Sequence, residues 1–293
     1  MASLKEVKTR IASVNSTRKI TSAMKMVASS KLHHAQLAIE RMRPYERQLS
    51  HIMSTFVDSM EGEIDTPYAG EREVKRVAIV LYTSNSSLCG GFNANVIKAF
   101  NRKVEAYKEK GIDIVRVYPL GKKAYDAVTK AGFELAGDYT PLLDHPSYEK
   151  ASQIAAEIME SYAKGEIDQA DLIYHHFKSA GSQILTEETF LPIKLESTDE
   201  DSAVNVSTTQ LDFIVEPSRA EVVSQLVPKS LHLKLFTALL DSLASEHAAR
   251  VMAMQVATDN ADDLLRELTL TYNKTRQQAI TNELLDIVGG SMQ

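Results

Sequence analysis

The sequence predicts an α/β protein in which the two chain ends pair as a long antiparallel two-helix coiled coil and the middle folds as one inserted α/β domain with a mostly parallel sheet. Three observations predict it. Lys229 to Val288 contains no Gly and no Pro, residues 1–43 also lack both, and the stretch between them alternates short apolar runs with helical periodicity. A helix of some sixty residues is about 90 Å long, against an average of roughly 11 or 12 residues in globular proteins. Most of such a helix projects beyond any core, so a partner helix must cover its apolar stripe.

The first helix opens on a capping box, Ser3-Leu4-Lys5-Glu6, in which serine and glutamate satisfy free amides. Leu4, Val7, Ile11 and Val14 form its stripe, which resumes after a polar interruption at Ile20, Met24 and Val27, then at Met42, Tyr45, Leu49, Ile52 and Phe56. Residues 1–60 are therefore one half of the coiled coil. Glu61-Gly62-Glu63 and Thr66 to Gly70 read as the linker that leaves it.

The inserted domain is expected over 74–216. Val77 to Tyr82 is a continuous apolar run, as in a strand buried on both faces. A loop over Thr83 to Gly91 leads to a helix from about Asn93, with Ile97, Phe100, Val104 and Tyr107 on one face. Ile112 to Tyr118 is a second strand ended by Pro119, and Lys122 to Lys130 a short helix. Gly132 to Pro146 reads as loop, Ser147 caps a helix carrying Ile154, Ile158 and Tyr162, and Leu172 to Phe177 is a third strand. Strand, helix, strand, helix, strand describes a parallel sheet with helices on both faces. Gln183 to Glu188 and Phe190 to Leu195 add two antiparallel edge strands, and Leu211 to Val215 a last one.

The second half of the coiled coil covers 218–290. It begins at another capping box, Ser218-Arg219-Ala220-Glu221, and passes a kink at Pro228. Leu231, Leu235, Leu239, Ser242, Ala249 and Val256 keep roughly heptad spacing, and Leu264, Leu268, Thr271 and Thr275 continue it after a register shift. That is a seam for a single partner helix, built from small and hydroxylated residues that allow close approach.

Composition limits the function classes. The chain has 293 residues, 44% apolar and 25% charged, with no apolar run long enough to span a bilayer. Its one cysteine, Cys89, excludes an internal disulfide. Residues 1–47 carry ten Lys or Arg against three Glu, a balance of +7 in a chain of net −6, which leaves −13 on the remainder. A basic helix on an acidic body fits acidic surroundings, whether nucleic acid, anionic lipid or protein.

Chemistry-bearing motifs are few. The loop Ser84 to Gly91 occupies the place where doubly wound folds bind phosphate, but it holds neither GxGxxG nor GxxxxGK[ST]. No motif supplies Cys89 with an acid–base partner, and His33-His34 and His175-His176 are adjacent pairs that diverge on helix or strand. No cofactor and no metal site is predicted. An enzyme built on Cys89-Gly90-Gly91 and a basic coiled-coil binder of nucleic acid or membrane stand as the alternative functions.

Three blocks resemble one family, the gamma subunit of the F-type ATP synthase. They are Ile20 to Ala28 with Ser30-Lys31-Leu32 and Arg43-Pro44-Tyr45; Ser245 to Met254 leading to Ala257 to Ala261; and Tyr272 to Gln277 running through Ile280 to Glu283 to Gly290. The resemblance implies a non-catalytic rotor subunit with a Rossmann-like α/β domain. The implied partners are three alpha and three beta subunits, the epsilon subunit and the membrane ring of c subunits, with no nucleic acid and no direct membrane insertion. It places Met24 and Lys25 at the contact with the catalytic subunits, turns Arg250 to the surrounding subunits, and gives Arg276 and Gln277, with Thr281 and Glu283 close by, to a catalytic-subunit loop. It further implies a peripheral protein on the cytoplasmic face of a bacterial inner membrane. This chain departs from the family's Asp-Arg-Gly before Leu88, having Asn85-Ser86-Ser87.

Overall fold

The computed structural model describes residues 3–59, 66–69, 72–193 and 218–290. In chain order the elements are α1 (Leu4–Ser59), β1 (Arg76–Tyr82), α2 (Phe92–Glu109), β2 (Asp113–Leu120), α3 (Lys122–Ala131), α4 (Thr140–Asp144), α5 (Tyr148–Ala163), β3 (Gln169–Ser179), β4 (Ser182–Leu191) and α6 (Arg219–Gly290). They form two compact units. One holds the start of α1, to Ser30, and the end of α6, from Arg250; the other runs from Lys31 to Ala249.

In the larger unit the sheet order is β2-β1-β3-β4, with β1 parallel to both β2 and β3, and β4 antiparallel to β3. Alternation along β1 sorts two cores. Val77, Ile79 and Leu81 meet Val96, Phe100 and Val104 of α2 and Val128 of α3, whereas Ala78, Val80 and Tyr82 meet Ile154 and Ile158 of α5 and Leu235 and Leu239 of α6. Helices thus cover both faces, as strands buried on two sides require.

Several expectations are corrected here. Pro119 does not end the second strand, because β2 is an edge strand and a missing N–H costs nothing on its open side. The region read as loop after Gly132 contains α4, started by Pro141. The two expected edge strands are one, β4, while the part beyond Ile193 and the expected strand at Leu211 to Val215 lie outside the described residues. Ser147 stands at the start of α5 without a side-chain capping bond, whereas Ser3 and Ser218 accept the amides of Glu6 and Glu221 as the capping boxes predict.

The seam expected at Leu231, Leu235 and Leu239 serves the larger core. α6 is buried almost all round from Leu231 to Ala248, as a helix must be when a sheet, α5 and α1 surround it. In the smaller unit the stripe of α1 runs through Val7, Ile11, Val14, Arg18, Thr21, Lys25 and Ala28, and that of α6 through Met254, Thr258, Ala261, Leu265, Leu268, Tyr272 and Thr275. Ile20 and Val27, expected on it, are each 59% exposed, and Tyr45, Val256 and Thr271 are exposed as well. The stripe does not resume at Ile20, Met24 and Val27: steps of four and three carry the seam from Val14 through Arg18, Thr21 and Lys25, which find polar partners across it.

Candidate partner-binding surface

The smaller unit is zipped by polar pairs. Arg18 donates to Asp262 at 3.0 Å, the hydroxyls of Thr21 and Thr258 share a hydrogen bond at 2.8 Å, and Lys25 donates to Gln255. As the first partner advances along α1 the second retreats along α6, which fixes the helices as antiparallel. Gln255 in turn donates to Asp259 at 2.7 Å, and Thr258 to the Met254 carbonyl. Close approach is possible because Ala28 and Ala261, both buried, bring little side-chain bulk to the seam.

The residues expected to meet partners divide into two groups. Lys25 is committed to the seam, Met24 beside it is half-buried, and Arg250 keeps only 9% exposure, so most of its surface is spent inside this chain. Arg276, Gln277, Thr281 and Glu283 are all exposed on the last turns of α6. Thr281 returns its hydroxyl to the Gln277 carbonyl at 2.9 Å, so those two residues share a face one turn apart. Sequence reasoning missed what surrounds them. Ile280, Leu284, Leu285, Ile287 and Val288 are between 49 and 67% exposed. Their apolar character was legible, but with neighbours on every face it lacked the one-sided spacing that marks a stripe. Exposed apolar side chains in such number signal a protein partner.

The loop Thr83 to Gly91 does other work. Its polar groups cap α3: the Lys122 amide donates to Asn85 Oδ1 at 3.1 Å, the Lys123 amide to the Ser84 carbonyl at 3.2 Å, and the Ala124 amide to Thr83 Oγ1 at 2.7 Å. The first amides of α3 are thereby taken. Asn85 also donates to the Thr140 carbonyl at 3.0 Å, so this neutral side chain ties the loop to the starts of both α3 and α4. Cys89 is buried, with the amide nitrogen of Asn93 3.1 Å from its sulfur, and Ser84 bonds Asn93 and the Ser86 carbonyl. A thiol enclosed in this way is packing. The enzyme reading built on Cys89-Gly90-Gly91 finds no support in that geometry.

The histidine pairs also separate. His33 and His34 are exposed, with ring centroids 6.2 Å apart. His175 is buried and stacks on Phe92 at 4.5 Å, and burial pushes its imidazole down to about 4, while His176 on the other face contacts Asp241. Among the described residues no group of three His, Cys, Asp or Glu is placed to hold a metal ion. No helix of the described residues is long and apolar enough to cross a membrane.

Comparison with known proteins supplies the family. A family model described as ATP synthase matches residues 3–292. The ATP synthase gamma chain of Phocaeicola vulgatus is 57% identical over 294 residues, covering 100% of both chains, and that of Bacteroides fragilis is 58% identical over 292. The gamma chain of Flavobacterium johnsoniae is 45% identical, over 99% of this chain and 98% of its own. Among solved structures, a chain of the Euglena gracilis mitochondrial ATP synthase, OSCP/F1/c-ring, superposes with a TM-score of 0.61 at 20% identity, over 99% of this chain and 93% of that one. A chain of the Tetrahymena thermophila central stalk and c-ring gives 0.54 at 22% identity, over 81% and 99%.

Proposed function

Because this chain belongs to the ATP synthase gamma-chain family, and is thus a non-catalytic central-stalk subunit of F1, we propose that it works by turning inside a hexamer of three alpha and three beta subunits. Rotation brings different faces of the subunit against each beta subunit in turn. A face that contacts one nucleotide state better than another shifts that site toward it, so angle is converted into affinity. In the same reading the α/β unit meets the epsilon subunit and the c ring, and the complex lies on the cytoplasmic face of a bacterial inner membrane.

What most supports this reading is the exposed end of α6, where Arg276, Gln277, Thr281 and Glu283 stand among uncovered apolar side chains. Such a mixture fits a protein bearing: apolar area gives close contact, and the polar groups select orientation. Met24 and Lys25 would add a second contact, and Arg250 a third that uses its small exposed remainder. The deciding experiment is affinity isolation of the chain from cells that make it. Recovery of a hexameric ATPase with the chain is expected; recovery of the chain alone, or with nucleic acid, overturns the proposal.

A further inference from the structure

Within the larger unit, the buried stretch of α6 carries leucine on much of its circumference. Counted at about 100° per residue, Leu233, Leu235, Leu239, Leu240 and Leu243 spread over an arc of about 160°, and all five are buried. Turning the helix within that arc exchanges leucine for leucine. Sliding it by one turn does the same, setting Leu239 and Leu243, or Leu231 and Leu235, in the places of Leu235 and Leu239. Cores tolerate such swaps when volume is kept, so apolar burial holds α6 in place without selecting its angle or its height.

A second line of residues does select them. Lys234, Asp241 and Ser245 fall within about 40° of one another on the same count, and each is tied to a strand. Asp241 Oδ2 lies 2.5 Å from Nδ1 of His176 on β3, and Ser245 donates to the His175 carbonyl at 3.1 Å. Lys234 reaches Glu188 and the Thr189 carbonyl of β4, each at 3.4 Å, while Tyr82 of β1 donates to the Leu235 carbonyl at 3.1 Å. Ser245 and Asp241 are buried, so water does not replace a lost partner. A one-turn slide breaks this line in either direction. One way, Ala249 stands in the place of Ser245 and Ser245 in that of Asp241; the other way, the Asp241 carboxylate meets the His175 carbonyl, acceptor against acceptor.

We propose that Lys234, Asp241 and Ser245, with Tyr82, His175 and His176 opposite them, form an orientation lock that fixes the angle and axial position of α6 on the sheet. They are positioning residues. The lock is also the route by which a turning load passes between the α/β unit and α6, a step that rests on the chain turning inside a hexamer. Apolar contact is non-directional and yields to sliding, whereas a hydrogen bond weakens steeply when bent.

Pulsed electron spin resonance on the full chain tests the lock, with nitroxides at Lys178→Cys of β3 and Lys229→Cys of α6, both exposed positions, in a Cys89→Ala background. Tyr82→Phe/Asp241→Leu/Ser245→Ala removes it; Tyr82→Phe/Ser245→Ala takes away two hydroxyls and adds no bulk. A helix free to turn by one residue swings its label by about 100°, so the distance distribution should widen at least about twofold in the first variant and less in the second. Val80→Ala, which opens a cavity in the same core and leaves every tie in place, should keep the original width. Unchanged width in the lock variants that fold overturns the proposal, and so does equal widening in Val80→Ala. In membrane vesicles holding the assembled enzyme, protons pumped per ATP hydrolysed should fall at least about threefold in the lock variants, because each lost buried bond raises the slipped population. An unchanged ratio overturns the load route. Failure of the unaltered chain to bring down a hexamer overturns the rotary reading instead, and the distance measurement still judges the lock.

Discussion

A methyl group added at position 121 has nowhere to go. Gly121 sits at φ 116, and a Cβ there would lie 2.5 Å from the Thr83 carbonyl oxygen, a backbone atom that cannot swing aside because the Thr83 amide is bonded to Leu120. Gly121→Ala should cost about 3 kcal/mol, from the disfavoured backbone and the collision together, and a urea titration will show it as a lower midpoint. His175 makes a different kind of prediction. Its folded-state value is depressed to about 4 by burial, so on acidification the unfolded chain takes up a proton that the folded chain refuses. Stability should fall by about 3 kcal/mol as pH drops from about 6.5 toward 4. His175→Phe keeps the stack on Phe92 and should remove most of that loss, measured as the pH dependence of the unfolding midpoint.

At the scale of elements, the pairing of α1 with α6 rests on hydrogen bonds where a simple coiled coil would place leucine. Thr21→Val and Thr258→Val should each destabilise by less than about 1 kcal/mol, since each removes the shared hydrogen bond while the remaining hydroxyl keeps its bond to a carbonyl of its own helix, Arg18 or Met254. The double variant should come near to wild type, because two methyl groups of similar shape then meet; thermal unfolding of the four proteins checks the cycle. The Arg18–Asp262 pair is half-exposed on both sides, so breaking it should change stability by less than about 1 kcal/mol. This seam also shows where sequence reading stops. Tyr82, Phe100 and Ile158 announced their strand and helices through apolar spacing, but Arg18 looked like a gap and Thr21 and Lys25 stood beside the expected apolar stripe, since one helix alone does not reveal that Asp262, Thr258 and Gln255 will stand opposite. Asn85 was equally silent. Its two bonds go to residues 37 and 55 positions away, and no local pattern encodes them.

For the molecule as a working subunit, the fold was legible because Gly- and Pro-free ends and buried strands leave strong patterns, whereas the proposed partner surface was legible only through family resemblance. Among the described residues no side-chain bond of Arg276 or Gln277 marks them, and the significance proposed for them lies in proteins outside this chain. Arg276→Ala should leave the stability of the isolated chain within about 0.5 kcal/mol of wild type, as expected for an exposed position. In assembled enzyme it should lower proton-driven ATP synthesis several-fold relative to the amount of complex formed; equal synthesis rates in membrane vesicles would count against the assigned contact. The zipped seam of the smaller unit has a further result for such a machine. Its three polar pairs are unlike one another, so sliding either helix by a heptad would set Thr21 against a leucine or a valine and leave Arg18 without its carboxylate. Shear between the two strands is therefore resisted at discrete teeth. Little of an imposed angle is lost to slippage within the pair.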